Sequence, residues 1–428
     1  MKLLRVCVIG AGGAGLAIAR HLTSQVDIFN VSVFEQASSL GGTWVFNEDT
    51  GTDERGLPIY SSMYRNLRTN LPKEVMAFPD FPFPSEWRSF ISHQQVLKYL
   101  EDYASHFNLY KYISFDSTIT SVHPITNEDS HNPQWEVVIT NANTKESKSC
   151  IFEAVVVCSG HFFDPLIPSI PGLEYFGGLV MHSHDYRDPH PFQGKHVVVL
   201  GASSSGQDIS LEIAKMAERV YLSHKGHLPC KLPDNVEECR PMSCVSSDGV
   251  VHFDDGEQKE VDAILFCTGY NFSFPFLQSD CGVEVSDNRV TPLYKHVFST
   301  KYRTLSFVGL CLRICPFPVF SFQAQFIAAV LSGKTKLPSE EEMNAEEEQE
   351  FKEKLASGLR KKYAHFLGEK QWDYMRCLAQ LAGVQPPSEA CENLYKFISK
   401  RRKEFLMDYK NDEYEFTSNG KWKKKIDM

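Results

Sequence analysis

The sequence of 428 residues predicts an α/β fold with two dinucleotide-binding, Rossmann-like domains, the second inserted into the first. Three observations predict it. An apolar run, Arg5-Val6-Cys7-Val8-Ile9, opens into Gly10-Ala11-Gly12-Gly13-Ala14-Gly15 and then into a stretch rich in Ala, Leu and Ile, Leu16 to Leu22. The same order of strand, small-residue turn and helix recurs at His196–Leu200, Gly201-Ala202-Ser203-Ser204-Ser205-Gly206 and Gln207 to Ala217. Further apolar runs, Ala154–Cys158, Val261–Cys267 and Leu305–Val308, each end in small residues, which is how buried parallel strands read.

In the first unit the GxGxxG spacing gives each glycine a task. Gly10 lets the chain reverse, Gly12 lets backbone approach a pyrophosphate with no Cβ between, and Gly15 lets the helix lie close on the strand. The helix start, with Gly13 and Ala14 in its first turn, offers free N–H groups and the positive end of a dipole. The next strand, Val31–Phe34, ends in Glu35 with Gln36 beside it, where a carboxylate accepts hydrogen bonds from ribose hydroxyls. Leu40-Gly41-Gly42-Thr43-Trp44 brings a glycine pair to a second stretch of cofactor, although Trp44 suits the core equally well. Thr69, Val122, Ser159 and Gly160 complete the expected surface of this domain.

The second unit departs from the first in two ways. Its turn is GxSxxG, with Ser203, Ser204 and Ser205 as hydroxyl donors to phosphate beside Gly206 and Gln207. Its strand Arg219–Leu222 ends in Ser223-His224-Lys225, with no carboxylate to meet a ribose hydroxyl. A basic, hydroxylated corner there favours a 2′-phosphate, although an exposed surface lysine is commonplace. An acidic ribose partner in one unit and a basic one in the other assign FAD to the first and NADPH to the second, with Thr268, Gly269 and Tyr270 at the end of the next strand.

Elsewhere, 90–107 has helical spacing, and strand-like runs 119–122 and 135–140 flank a polar tip at 127–132 as a β-meander. The stretch 322–331, with Gln323 among apolar residues, reads as a helix returning to the first domain, and 339–354 as a solvated acidic covering helix. A net charge of −10 supplies no phosphate-neutralising face, which excludes a nucleic-acid partner, and Lys421 with Lys423 to Lys425 reads as a solvated tail. No apolar run approaches the ~18 residues of a membrane span, so no membrane partner is expected. Met1-Lys2 leads straight into the first strand, so a cytoplasmic location is expected, or secretion if a leader was removed. The twelve cysteines include no CxxC pair, and no metal site is expected.

The connecting segment carries a resemblance. Phe176-Gly177-Gly178-Leu179-Val180-Met181-His182-Ser183-His184-Asp185-Tyr186 fits FxGxxxHxxxY, which resembles the identifying motif of the flavin-containing monooxygenases. Thr69-Asn70-Leu71-Pro72-Lys73 with Phe78-Pro79-Asp80-Phe81-Pro82, Phe266-Cys267-Thr268-Gly269-Tyr270, and Gln323-Ala324-Gln325-Phe326 with Leu337-Pro338-Ser339 are similar to three further signatures of that family. Within it the chain looks most similar to soluble insect enzymes that N-oxygenate alkaloids. Tyr186 stands where related Baeyer–Villiger enzymes carry Trp.

The resemblance implies NADPH reduction of FAD, addition of dioxygen, and a C4a-hydroperoxyflavin that oxygenates soft nucleophiles such as tertiary amines, pyrrolizidine-type alkaloids or sulfides. It implies Asn70 as the side chain bridging flavin and NADP⁺, the alternative being a turn asparagine capping Leu71-Pro72. It implies Gln323 at the flavin edge, a hinge role for His182, and a homo-oligomer. The expected domains are 1–165 (FAD, first part), 166–298 (NADPH, inserted) and 299–428 (FAD, second part, with a helical extension). Two other readings remain: an NADPH oxidase-like flavoprotein releasing hydrogen peroxide, and a cofactor-holding protein without turnover.

Overall fold

Seven strands form the larger sheet of the computed structural model, which describes residues 2–125 and 132–425. Their order is Leu293–Tyr294, Phe298–Ser299, Leu305–Phe307, Ala154–Val157, Leu4–Ile9, Phe29–Phe34 and Ile113–Ser114. From Leu305–Phe307 onwards every neighbouring pair is parallel. A second sheet is parallel throughout, in the order Val236–Cys239, Arg219–Ser223, His196–Leu200, Ala263–Phe266 and Leu179–His182. Every strand of this sheet lies, in sequence, between Ala154–Val157 and Leu293–Tyr294 of the first, so the chain leaves one sheet, builds the other, and returns. The return begins at Leu293, ahead of residue 299, because a short antiparallel hairpin precedes Leu305–Phe307.

Both glycine turns stand at the C-terminal ends of central strands, each followed by a helix, Gly13–Thr23 and Ser204–Ile213. The expected helix over 90–107 is His93–His106, started by a capping box in which Ser92 and Gln95 satisfy each other's backbone N–H groups. The β-meander is three antiparallel strands, Ser117–Ile125, Gln134–Asn141 and Ser147–Phe152, and most of its polar tip lies outside the described residues. The helix expected from Phe322 starts six residues earlier, at Pro316, because Pro316 and Pro318 fit a first turn that leaves N–H groups unbonded anyway. It packs along the first glycine-turn helix.

The acidic helix Glu340–Ala356 covers the first domain with a largely exposed face, and several of its acids form ion pairs. Arg289 holds Glu347 at 2.7 Å and Glu348 at 3.2 Å, and Lys354 holds Glu350 at 2.8 Å. Two further helices, Gln371–Ala382 and Glu389–Glu404, and a hairpin, Tyr414–Phe416 with Trp422–Lys424, complete the C-terminal part. Lys423 and Lys424 belong to that hairpin and pair with Glu415 and Asp412, so they are not a free tail.

Candidate functional site

The two turns have the same construction. Gly10 and Gly201 adopt φ of +101° and +100°, and a Cβ on either would meet the carbonyl of the residue ending the neighbouring strand, Cys158 at 2.7 Å or Cys267 at 2.6 Å. A Cβ on Gly15 would lie 1.9 Å from the Gly10 carbonyl oxygen, and one on Gly206 would lie 1.7 Å from that of Gly201. The two helices therefore touch their own strands at a distance only glycine permits. Neither helix has a side-chain cap or an acid in its first turn, so their first N–H groups and dipole ends are left for an external anion.

Around the first turn, the Gly41-Gly42 pair folds over Gly12, and the Gly41 N–H donates to the Ala11 carbonyl at 3.1 Å. A Cβ on Gly42 would lie 3.1 Å from the Gly12 Cα, so two backbones meet here with no side chain between them. Glu35 is buried, which pushes its carboxyl pKa up, while N–H donors from Ala37 and Ala11 (2.9 and 2.7 Å) oppose that shift. Gln36, Gly13 and Ala14 flank this corner, and Gly13 rests on the Phe317 ring. Trp44 packs edge-on to Phe317 with centroids 6.4 Å apart, and Thr43 offers its carbonyl to the Ser61 hydroxyl. The Ser159 hydroxyl is buried with no hydrogen-bond partner among the described residues, and Gly160 beside it takes φ of +72°. Asn70 is half-buried, and its amide makes no hydrogen bond among the described residues, so it does not cap the Leu71-Pro72 corner. Thr69 holds the segment in place instead, its hydroxyl accepting the Ile91 N–H at 3.2 Å.

At the second turn Ser203 and Ser205 are exposed, while Ser204 and Gln207 are contacted by Arg402, which arrives from the helix Glu389–Glu404. Arg402 donates to the Gln207 amide oxygen at 2.9 Å. Nothing in the local sequence announces it, because the contact spans 195 positions. The corner at the next strand end differs from expectation. Ser223 is buried, donating to the Arg240 carbonyl at 3.0 Å and accepting the Met242 N–H at 2.9 Å, so its hydroxyl cannot serve a phosphate. His224 is held by Glu238 at 2.8 Å, which brings a carboxylate into a corner expected to be basic. Lys225 and Arg240 are exposed and carry no ion pair among the described residues; Arg240 comes from the neighbouring strand end and has no signal in the turn motif.

Three other expected contacts are taken up inside the protein. Val122 is fully buried in the core beneath the β-meander, with its N–H donated to Phe276 (2.8 Å) and its carbonyl accepting from Gln278 and the Cys281 thiol. Gln323 is fully buried: its oxygen accepts the Gly309 N–H at 3.0 Å and its nitrogen donates to the Tyr374 hydroxyl at 2.9 Å, so it fixes the Gly309 turn and presents nothing to a ligand. Thr268 donates to the Leu166 carbonyl at 2.5 Å and Gly269 accepts the Leu166 N–H, which pins the connecting segment beneath Tyr270.

The FxGxxxHxxxY segment also has a visible physical role. His182 Nδ1 accepts the His184 N–H, Tyr186 is fully buried, and Arg187 donates to the carbonyls of Asn47, Asp49, Ser61, His184 and Tyr186 at 2.6 to 3.3 Å. A buried guanidinium thereby ties the loop 47–61 of the first domain to the connection between the sheets. Burial lowers His182 to about 4, so it is neutral near pH 7. Glu237, Cys239 and Glu257 lie within metal-ligand reach of one another, but Arg219 and Lys259 already engage the carboxylates. Among the described residues no helix is long and apolar enough to cross a membrane.

The sequence pattern described as Flavin-binding monooxygenase-like matches residues 3–230 and 230–423, a match that implies FAD and NADPH as cofactors. Flavin-containing monooxygenase FMO GS-OX-like 4 of Arabidopsis thaliana is 37% identical over 426 residues, covering 95% of this chain and 93% of the relative. Among solved structures, S-allyl-L-cysteine S-oxygenase from Allium sativum superposes with a TM-score of 0.89 at 38% identity, covering 96% of both chains. Tmm from Pelagibacter superposes with a TM-score of 0.86 at 28% identity, covering 98% of this chain and 95% of that one. The uncapped helix starts, the glycine contact over Gly12, the unpartnered Ser159 hydroxyl and the free Asn70 amide are what such cofactors need of their hosts. On the pattern match and these relatives, the chain belongs to the flavin-binding monooxygenase-like family.

Proposed function

We propose that this enzyme uses NADPH and dioxygen to transfer one oxygen atom to a soft heteroatom, a thioether sulfur or a tertiary amine nitrogen. The observation that carries this reading is the pair of congruent, acid-free glycine turns in one chain, with the unengaged amide of Asn70 on the segment between them. When bound, FAD supplies the oxygen-activating ring and NADPH the hydride. In this reading 1–165 and 299–428 hold FAD, and 166–298 hold NADPH.

The chain's own residues bind and shield. The turn at Gly10–Gly15 and the turn at Gly201–Gly206 each receive a pyrophosphate on helix N–H groups. Glu35 accepts from a ribose, and Lys225 with Arg240 faces a 2′-phosphate. Asn70 directs its amide at the groups held by both turns. Trp44 and Phe317 wall the first turn and keep water away. Among the nearby histidines, His161 is lowered to about 4 by burial, like His182, so neither carries charge at neutral pH. No protein nucleophile is required, because the reacting oxygen is carried by the cofactor.

Sulfur ranks first as the acceptor, supported by the 38% identical relative named as an S-oxygenase; oxygenation of tertiary amines, including alkaloids, ranks second. The test is to supply purified, FAD-loaded protein with NADPH, dioxygen and either a thioether or a tertiary amine, and to follow sulfoxide, N-oxide and peroxide together. Oxygenated product is expected. Peroxide equal to the NADPH consumed would identify an oxidase instead, and no NADPH consumption would identify a cofactor-holding protein.

A further inference from the structure

The segment that carries Asn70 is anchored to the other domain. By chain position Tyr64 belongs with the first sheet, yet its ring is buried in the apolar core of the second, among Tyr186, Phe192, Val197 and Ile209. Its hydroxyl donates to the Asp208 carboxylate. Asn66 donates to Glu212 at 2.7 Å, one helical turn further on. Lys410 closes the arrangement, donating to Asp208 at 2.5 Å and to the Arg68 carbonyl at 3.1 Å, while Arg68 donates to the Lys410 carbonyl at 2.6 Å. Residues 64 and 66 are thus fixed directly to the helix Ser204–Ile213, and residue 68 to it through Lys410, with Asn70 two residues further on. That helix begins at the second glycine turn, and Asp208 lies two residues beyond Gly206.

We propose that Tyr64 and Asp208 are a positioning latch, through which the helix behind the second glycine turn sets the placement of the Asn70 amide. A nucleotide seated on the turn fixes the helix, and the latch transmits that position to Asn70. NADPH binding and productive oxygen transfer are thereby coupled through a hydrogen-bonded joint centred on Tyr64 and Asp208. This rests on the reading of Asn70 given above, and the test separates the two.

The experiment compares FAD-loaded wild type with Tyr64→Phe, Asp208→Asn, Asn70→Ala and the double variant Tyr64→Phe/Asn70→Ala. Two quantities are read: the change in bound-flavin absorbance on titration with NADP⁺, which needs no turnover, and the ratio of peroxide to oxygenated product. Tyr64→Phe keeps the buried ring, so FAD content and melting temperature stay close to wild type. Its flavin response to NADP⁺ falls to about half, and its peroxide ratio rises about fivefold, the order of effect expected from one lost buried hydrogen bond. Asp208→Asn still accepts from Tyr64 but loses the charge opposite Lys410, and falls between the two. The double variant matches Asn70→Ala alone, because a latch acting through Asn70 has nothing left to place.

A peroxide ratio and flavin response unchanged in both latch variants would overturn the proposal, as would full additivity with Asn70→Ala. Should Tyr64→Phe lose its FAD, Asp208→Asn decides the matter by the same two readouts. If Asn70→Ala itself matches wild type in both readouts, the role of Asn70 fails and the latch with it; an altered Asn70→Ala beside silent latch variants removes the latch alone.

Discussion

Gly206→Ala separates the two nucleotide turns most sharply. The added Cβ would lie 1.7 Å from the Gly201 carbonyl oxygen, and such contacts are essentially never closer than 3.0 Å, so at least 1.3 Å of separation must open. Gly201 has little room to retreat, because its N–H is bonded to the Ser223 carbonyl at 2.9 Å and the Cys267 backbone lies so close that a Cβ on Gly201 would fall 2.6 Å from the Cys267 carbonyl oxygen. The start of the helix Ser204–Ile213 must therefore move outward, away from the position of a pyrophosphate. Hydrogen bonds weaken steeply beyond about 3.2 Å, and two charge-assisted bonds lost at about 1.5 kcal/mol each amount to roughly 3 kcal/mol. We expect the Kd for NADP⁺ to rise on the order of a hundredfold. Titration of the bound-flavin spectrum measures it, and FAD should stay in place, since Gly10 and Gly15 belong to the other sheet. Gly15→Ala, with its Cβ 1.9 Å from the Gly10 carbonyl, should do the reverse and lose FAD. Unchanged NADP⁺ affinity in Gly206→Ala would refute the assignment, and loss of FAD from that variant with NADP⁺ affinity intact would reverse it.

Three further outcomes follow from side chains already placed. Lys225→Ala and Arg240→Ala should each lower the preference for NADPH over NADH several-fold, at about 1 kcal/mol per exposed charge facing a phosphate, and the double variant more; steady-state kcat/KM with the two nucleotides reads this directly. Arg187→Met leaves the carbonyls of Asn47, Asp49 and Ser61 without their buried donor, so the melting temperature should fall by several degrees, with a loss of about 3 kcal/mol. Thermal stability should also fall as pH drops from 6.5 towards 4 and be flat with respect to these groups above that window. His161 and His182 titrate near 4 in the fold against an ordinary 6.5, so the unfolded chain takes up protons that the folded one refuses. His182→Gln should remove part of that slope; a slope identical to wild type would show that His182 does not contribute.

What can be read from sequence, and what cannot, divides along one physical line. The turns are legible because their glycines answer to local sterics: a Cβ at either position would fall 1.9 or 1.7 Å from a carbonyl oxygen, so only glycine fits, and the spacing that achieves this is fixed within six positions. Strand and helix periods are legible for the same reason. The helix at 316–331 reads six residues short because its prolines look like breakers until they are recognised as first-turn residues. Side-chain function is not local in this way. Ser223 and His224 look available for a phosphate until the neighbouring strand brings Arg240 and Glu238 beside them, at 17 and 14 positions' remove. Val122 and Gln323 stand in segments that resemble cofactor-binding ones, yet Phe276 and Gly309 take their polar groups. Arg402 and Lys410 reach the second turn's helix across about two hundred residues, with no mark in the turn itself. A glycine pattern therefore reports where a phosphate can lie, whereas in the reading proposed above the choice of nucleotide, and the coupling of one nucleotide to the other, would rest on pairs that only the folded chain assembles. It follows that relatives with identical turns can differ in NADPH preference and in peroxide release, and that those differences should be sought at residues 238, 240, 402 and 410 before the turns.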